Sequence, residues 1–347
     1  MHLMQKAVIV LRQKGLEITA EEEESVYIAI LLHDIGHGPF SHALESTLIP
    51  QVSHEALSVK FMERLNEEFN GKLAQAIAIF CDNYPKRFLH QLISSQLDMD
   101  RLDYLRRDSF YTGVTEGAVN SERLLTMLNV KDDALVIDAK GIYSVEKFIV
   151  ARRLMYWQVY LHKTVISAEF MLVNILKRAK ELAQRGETLF ATSSLRLFLD
   201  NDYDWNDFES NPILLDEFAK LDDNDIMASI KEWCLHGDVV LSELSNRLIN
   251  RHLLKIEMRK KPFTKAEISQ LKKEVAAHFG FTAGEEEYFI ISDSITNHAY
   301  NPKSDHINLL YKDGSLEDIS TAADQLNISA LSKLVTKHFV CYPVELR

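Results

Sequence analysis

From Val26 to Leu32 the chain runs VYIAILL and turns at once to His33 and Asp34. This run lies in a segment, Glu22 to Asp34, whose apolar residues recur at three- and four-residue spacing, the pattern of a helix packed into a core. The doublet therefore stands at the inner end of a buried helix. An unpaired carboxylate is costly to bury there, and a His beside it wants a cation or a full set of hydrogen bonds. A lone His so placed is more often a satisfied core residue than a ligand. Here the neighbours reverse that preference, because His33, His37, His42 and His54, four of the 13 histidines, fall in HDIGHGPFSHALE and the SHEA that follows.

The same helical spacing runs from Met1 to about Leu128, in segments Ala7 to Leu16, Glu22 to Asp34, His54 to Phe69 and Lys72 to Phe80. The acidic run Glu21 to Glu24 reads as a solvated face in a first helical turn. Near Ala134 the period changes to alternation in ALVIDAKGIYSVEKF, with Lys140-Gly141 as the expected hairpin turn. A long helix is expected from about Val145 to Arg185, then helices over 195–280 interrupted by an acidic loop, NDYDWNDFES. Beyond Gly280 the segments EYFIISDSIT, HINLLYKDGSLEDI and KHFVCYPVE read as strands, with Asp313-Gly314 as a turn. Only 12 Gly and 7 Pro among 347 residues, with 46% hydrophobic residues, exclude disordered and linker-rich chains. The expected fold is mainly α, a helical bundle with a small α+β C-terminal lobe. Its divisions fall at 1–130 for the histidine-bearing core, 131–280 for a helical extension completing the pocket, and 281–347 for the lobe.

A net charge of −12 argues against nucleic-acid binding through bulk charge, so a polyphosphate ligand must be met by a local cluster or a metal. The opening MHLMQKAVIVLRQKG is too short an apolar run for a signal peptide. No stretch approaches the roughly 18 apolar residues of a membrane span. Cys81, Cys234 and Cys341 are far apart and lack CxxC spacing, which supports neither a disulfide framework nor a thiolate zinc site. A cytoplasmic location, away from membranes, is expected.

Gly36, Gly38 and Pro39 surround His37 and stop the helix there, which excludes the continuous helical turn of an HExxH zinc protease. His42 and Glu45, at i and i+3, share a face of the next helix and can relay a proton. Ser41 or His42 as a helix cap with Glu45 as its capping partner is the structural alternative. Downstream, SSQLDMDRLDYLRRDSFYTGV sets Asp100, Tyr104 and Asp108 on one helical face, with Asp98 and Asp103 pointing elsewhere. On its own this is an exposed, salt-bridged helix; beside the histidines, Asp100 becomes a third ligand. Such a set with open positions suits a divalent ion, of Mn, Mg, Fe, Co, Ni or Zn, with octahedral ions preferred over closed tetrahedral zinc. In ARRLMYWQVYLHK, Arg152, Tyr156, Tyr160 and Lys163 are expected on one helix face, where Arg can grip phosphate and Tyr can stack on a nucleoside. Arg247, Arg251, Lys255 and Arg259 recur every four residues on an expected helix, as a solvated face or a phosphate-binding stripe at a subunit interface.

HDIGHGPFSHALE together with DMDRLDYLRRDSFYTGV resembles the HD-domain phosphohydrolase superfamily, in the branch of bacterial dGTPases and the vertebrate sterile-alpha-motif/HD-domain dNTP triphosphohydrolase. The likeness covers residues 1 to about 310. It implies an HD-type bundle that splits a dNTP into deoxynucleoside and triphosphate, with His33, Asp34 and Asp100 on the metal. It places His37, His42, Glu45 and His54 around the phosphates, with His42 and Glu45 as the catalytic pair. Arg101, Tyr104, Asp108, Arg152, Tyr160 and Lys163 match positions that contact triphosphate or sugar. Arg251 and Lys255 are similar to a pair that binds activating nucleotides in allosteric members of the family. A homo-oligomer, dimer or tetramer, is expected. The family uses one more metal His, upstream of the place held by His2, which in this chain precedes Met1; a missing N-terminal segment is the expected reason. Two other readings stay open. One is another HD nucleotidase or phosphodiesterase. The other is a catalytically impaired HD protein that binds nucleotides or nucleic acid.

Overall fold

The computed structural model describes residues 1–45, 47–297, 300–301, 306–323 and 334–346, and of His42 the backbone alone. The fold is mainly α, as expected. Two compact units are each stitched from separated stretches. The first is Met1–Ile35, Ser58–Tyr160 and Thr296–Val335; the second is Gly36–Leu57, Leu161–Ile295 and Thr336–Arg347.

The first unit is organised by the helices His2–Gln13, Ala20–Leu32, Met99–Thr112 and Ile142–Met155. His2–Gln13 buries Leu3, Met4, Ala7, Val8 and Leu11, and Ala20–Leu32 buries Val26, Ala29 and Ile30. These join Leu89, Leu92, Leu102, Leu105, Phe148 and Ile149 in one apolar core, so the helical spacing of the sequence is the spacing of the buried stripes. Ala20–Leu32 begins with a capping box in which Thr19 and Glu22 each accept the other's backbone N–H.

Glu22 corrects the reading of Glu21 to Glu24 as a solvated face. It is 3% exposed. Its carboxylate accepts from Lys86 Nζ and Tyr84 Oη at 2.8 Å each, and from the Thr19 N–H. Burial alone raises its pKa, but Lys86, the Thr19 N–H and Tyr84 together hold it below the ordinary value. Charge in a helix's first turn was legible; that a turn of the chain 62 residues later brings partners to one of these carboxylates was not.

Seven strands are formed among the described residues: β1 Leu128–Lys131, β2 Ala134–Asp138, β3 Lys255–Arg259, β4 Ile291–Asn297, β5 Asn308–Leu310, β6 Leu316–Asp318 and β7 Val335–Tyr342. They make two sheets, ordered β1-β2-β5-β6 and β3-β7-β4. The C-terminal strand segments read from the sequence are present, and the Asp313-Gly314 turn joins β5 to β6 with Gly314 at φ 85°. The earlier hairpin differs from expectation. Lys131 pairs with Ala134, and Asp132 and Asp133 carry φ of 52° and 60°, the geometry of a two-residue turn. Lys140-Gly141 instead lies in a short 3-10 segment, Ala139–Gly141, that leads into the Ile142–Met155 helix.

The expected single helix from Val145 to Arg185 is also interrupted. After Met155 a π-helical turn spans Tyr156–Tyr160, and a new helix, Lys163–Gln184, starts with His162 as its cap, accepting from the Thr164 N–H. Lys163–Gln184 is the spine of the second unit, against which Ser193–Asp200, Val239–Ile249, His42–Glu45 and β3 pack. Phe198, Phe208 and Phe218 fill the space beside it, with ring centroids 6.2 to 6.3 Å apart. The acidic segment expected as a loop contains a helix, Trp205–Ser210, because Asp204 and Asp207 form a capping box. Among the described residues no single helix is long and apolar enough to cross a membrane.

Glu22→Ala removes the acceptor of the Tyr84 hydroxyl and one of the two acceptors of the half-buried Lys86 Nζ, which keeps the Glu17 carbonyl, at a cost of about 2 kcal/mol. Thermal unfolding should show a clear drop for Glu22→Ala and no change for Glu24→Ala, whose side chain is exposed.

Candidate functional site

His33 follows the last turn of Ala20–Leu32, and its Nδ1 lies 2.9 Å from the carbonyl oxygen of Ile30. A carbonyl only accepts, so Nδ1 carries the proton and Nε2 is left to the other side of the ring. There it faces Asp34 Oδ2 at 3.2 Å and Asp100 Oδ1 at 3.5 Å. It is buried and aligned for a hydrogen bond to neither. A lone pair turned toward two carboxylates is an arrangement that a cation resolves. The three residues each offer one atom within 4.8 Å of the others, so they fit a divalent ion, with the Ile30 carbonyl fixing the ring as an outer partner commonly does. Without an ion, Nε2 takes a second proton. Burial works against that charge, but the carboxylates of Asp100 and Asp34 outweigh it and push the pKa up to about 10. The stabilisation from this imidazolium is complete below the ordinary His pKa of about 6.5 and is lost as pH rises through about 10.

Asp100 is presented by Met99–Thr112, whose N-cap is Asp98. Asp98 is buried and accepts from the Arg101 N–H at 2.7 Å, the Ser95 N–H at 3.0 Å and Arg101 Nε at 3.0 Å. Desolvation dominates over these contacts and raises its carboxyl to about 6. Arg101 Nε also reaches the Ser95 carbonyl at 2.6 Å, so its guanidinium is oriented before any ligand arrives. One turn on, Tyr104 packs edge-on to Tyr160 with centroids 6.0 Å apart, and Tyr160 Oη donates to Asp108 at 2.6 Å. Tyr156 lies edge-on to Tyr160 at 5.3 Å, with the Arg152 guanidinium 5.9 Å from its centroid. The structure thus brings His33, Asp34 and Asp100 together, and Tyr104, Asp108, Arg152 and Tyr160 together, all within the first unit. Asp103 points away to pair with Arg107 on the exposed side, at 2.6 Å. Lys163 stands apart from the expected shared face: the π-turn ends one helix and Lys163 opens another, in the second unit.

The second unit carries the rest of the motif. Glu45 accepts the backbone N–H of His54 at 3.1 Å through Oε1 and lies 3.2 Å from His54 Nδ1 through Oε2. One carboxylate therefore holds both the start of the His54–Glu68 helix and the orientation of its first ring. His54 Nε2 is 3.2 Å from Glu55, and the His54 and His37 rings stack at 3.9 Å. Ser41 Oγ sits 2.8 Å from His37 Nδ1. Glu45, His54, His37 and Ser41 line a small cleft with Gly38 and Phe218. His42 forms one helical turn with Glu45; its side chain lies outside the described residues.

The basic stripe is corrected. Val239–Ile249 ends at Asn250, Arg251 turns left-handed at φ 59°, and the His252 N–H closes back on the Arg247 carbonyl at 2.8 Å. Lys255 and Arg259 then lie in β3, so the four residues share no helix face. Arg247 is 5% exposed and bound to Glu243 and Glu345; Arg259 is bound to Glu267. Lys255 Nζ lies 3.0 Å from Glu257.

Sequence reasoning missed the Ile30 carbonyl, the anchoring role of Asp98, the close approach of the Phe218 ring to Gly38 and the hydrogen bond from the Phe40 N–H to Asp223 Oδ1. An Asp three residues before Arg101, at the start of a helical pattern, was a readable cap signal. Contacts across 180 residues leave no local signal.

Comparison with known proteins places the chain in a family. The HD domain family model matches residues 5–108, and a model of an HD associated region matches 119–203. The Bacillus subtilis protein YwfO is 32% identical over 94% of this chain and 75% of its own length. A crystal structure titled as a phosphohydrolase from Bacteroides thetaiotaomicron superposes with a TM-score of 0.94 at 54% identity, over 98% of this chain and 84% of that one. A Dictyostelium discoideum protein named deoxynucleoside triphosphate triphosphohydrolase SAMHD1 homolog is 31% identical over 54% of this chain, but over only 40% of its own length. The chain belongs to the HD-domain family, within the phosphohydrolase superfamily, whose domains bind divalent metals.

Because His33 is an imidazolium at neutral pH in the metal-free protein, an ion bound at Nε2 displaces about one proton. Calorimetric titration with Mn in buffers of differing ionisation enthalpy should show that release, and affinity should weaken as pH falls. His33→Ala should abolish both the binding and the proton release.

Proposed function

We propose that the protein hydrolyses deoxynucleoside triphosphates to deoxynucleoside and triphosphate, as an HD phosphohydrolase of the dGTPase-like, dNTP triphosphohydrolase branch. The observation that carries this reading is the conjunction, in one unit, of the His33, Asp34 and Asp100 cluster with an aromatic and basic wall of Tyr104, Tyr156, Tyr160, Arg101 and Arg152. The names of SAMHD1 relatives from Dictyostelium discoideum and Gallus gallus support it, at 31% and 25% identity over about half of this chain.

The ligands are His33, Asp34 and Asp100, and a divalent ion held there supplies positive charge against the phosphate oxygens. Arg101 and Arg152 grip the triphosphate, joined by Lys163 on the sequence resemblance. Tyr104 and Tyr160 bound the nucleoside, and Asp108, held by the Tyr160 hydroxyl, accepts from the sugar. The roles of His37, His42, Glu45 and His54 rest on the motif. A water attacks phosphorus, the bond to the 5′-oxygen breaks, and a proton relay through His42 or His54, whose Nδ1 faces Glu45, protonates the departing 5′-oxygen. Dimer or tetramer assembly and activation by a second nucleotide at Arg251 and Lys255 belong to the proposal on the sequence alone; a cytoplasmic location does too.

A panel of dNTPs incubated with Mn or Mg, with products separated, tests the reading. Released triphosphate is the expected product. Orthophosphate or pyrophosphate overturns it in favour of another HD nucleotidase, and salt-dependent binding to single strands without turnover overturns it in favour of a binding protein. Arg152→Ala should raise KM by about ten- to a hundredfold, the loss of a charge-assisted contact to phosphate. A second dNTP should change the rate with the first, and Arg251→Ala with Lys255→Ala should remove that effect.

A further inference from the structure

The motif loop carries an unfavourable backbone. Phe40 and Ser41 adopt φ of 52° and 50° in succession, a region that residues with a Cβ enter at a cost. Two such residues in a row persist only where their surroundings over-determine them.

Part of that determination is local. The Ser41 N–H donates to the Gly38 carbonyl at 2.9 Å, the Ala43 N–H to the Phe40 carbonyl at 3.1 Å, and Ser41 Oγ meets His37 Nδ1. The remaining anchors come from far along the chain, inside the same unit. The Phe40 N–H donates to Asp223 Oδ1 at 3.1 Å, across 183 residues. The Phe218 ring closes on Gly38 so tightly that a Cβ there would lie 2.9 Å from its Cζ. Both residues fall outside the regions matched by the HD domain and HD associated models. Asp223 opens the Asp223–Trp233 helix, yet that helix is capped by others: Asp222 accepts from Asn224 and Asp225, and Asp225 returns a bond to the Asp222 N–H. The Asp223 carboxylate is therefore not needed by its own helix.

We propose that Asp223 is a positioning residue for the histidine pair: by accepting the Phe40 N–H it holds the left-handed turn that presents Ser41 to His37 and keeps His37 stacked on His54. Without that acceptor the Phe40 N–H turns to water, the turn can relax toward negative φ, and the Ser41 hydroxyl leaves His37. The inference rests on the reading of His37, Glu45 and His54 as catalytic groups, and it has a readout of its own.

The test compares Asp223→Ala with Asp223→Asn in the full chain. An amide oxygen can still accept the N–H; a methyl cannot. In protein labelled with 13C at histidine Cε1, the alanine variant should displace the His37 and His54 signals and weaken the NOE between their rings, while the asparagine variant keeps both. Turnover should follow: in Asp223→Ala, kcat falls by about ten- to a hundredfold with KM little changed, the signature of misplaced groups rather than lost binding, and Asp223→Asn restores it. Circular dichroism of both variants should match the parent, since Asp222 and Asp225 keep the cap. Unchanged histidine signals in Asp223→Ala overturn the proposal, as does an asparagine variant as damaged as the alanine one. If the parent chain turns over no dNTP, the function proposed above fails, and the histidine signals still decide the role of Asp223.

Discussion

The hydrogen bond from His33 Nδ1 to the Ile30 carbonyl is the contact on which the site depends. It is made at the end of a helix, where the final carbonyls have lost their helical partners and need donors. The core packing of Val26, Ala29 and Ile30 sets where that end lies. Once Nδ1 is committed, Nε2 has one direction to face, and the fold has placed Asp34 and Asp100 there. A burial pattern in an apolar helix is in this way converted into the orientation of a ligand atom.

The same device recurs. Asp98 caps Met99–Thr112 and, with its second oxygen, holds Arg101; Glu45 receives the first N–H of His54–Glu68 and, with its second oxygen, faces the His54 ring. In each case one carboxylate satisfies a helix start and orients a side chain of the proposed chemistry. Groups fixed by the same bonds that begin their helices lose little further freedom when a ligand arrives, which is the physical content of preorganisation. The acidic composition acquires a reason from this, since several of its carboxylates are spent inside the protein. Glu22, expected in water, is one of them.

The helical character of the first 130 residues, the strand segments after Gly280 and the juxtaposition of Asp100, Tyr104 and Asp108 were legible because each depends on spacing within a few turns. The HD motif also announced its family. What misled was local signal overridden by equally local detail: the hairpin turned at Asp132-Asp133 rather than at Lys140-Gly141, and the Tyr156–Tyr160 π-turn broke a helix whose apolar pattern continued through it. The basic stripe failed where Arg251 turned left-handed, since a four-residue period persists on paper after the helix that gives it meaning has ended.

Residue identity alone determined which chemistry this chain can support, because histidine and carboxylate types at motif spacing limit the ligands and proton carriers. The tertiary structure decided which of these groups meet, and in what orientation. Ile30, Asp98 and Asp223 act through a carbonyl, a cap and a single accepted N–H, contacts whose partners are chosen by the folded path of the chain. No periodicity encodes a bond between Phe40 and Asp223; it exists because packing around Phe218 brings the two segments within reach, and only there can an acceptor hold a turn that the backbone itself disfavours.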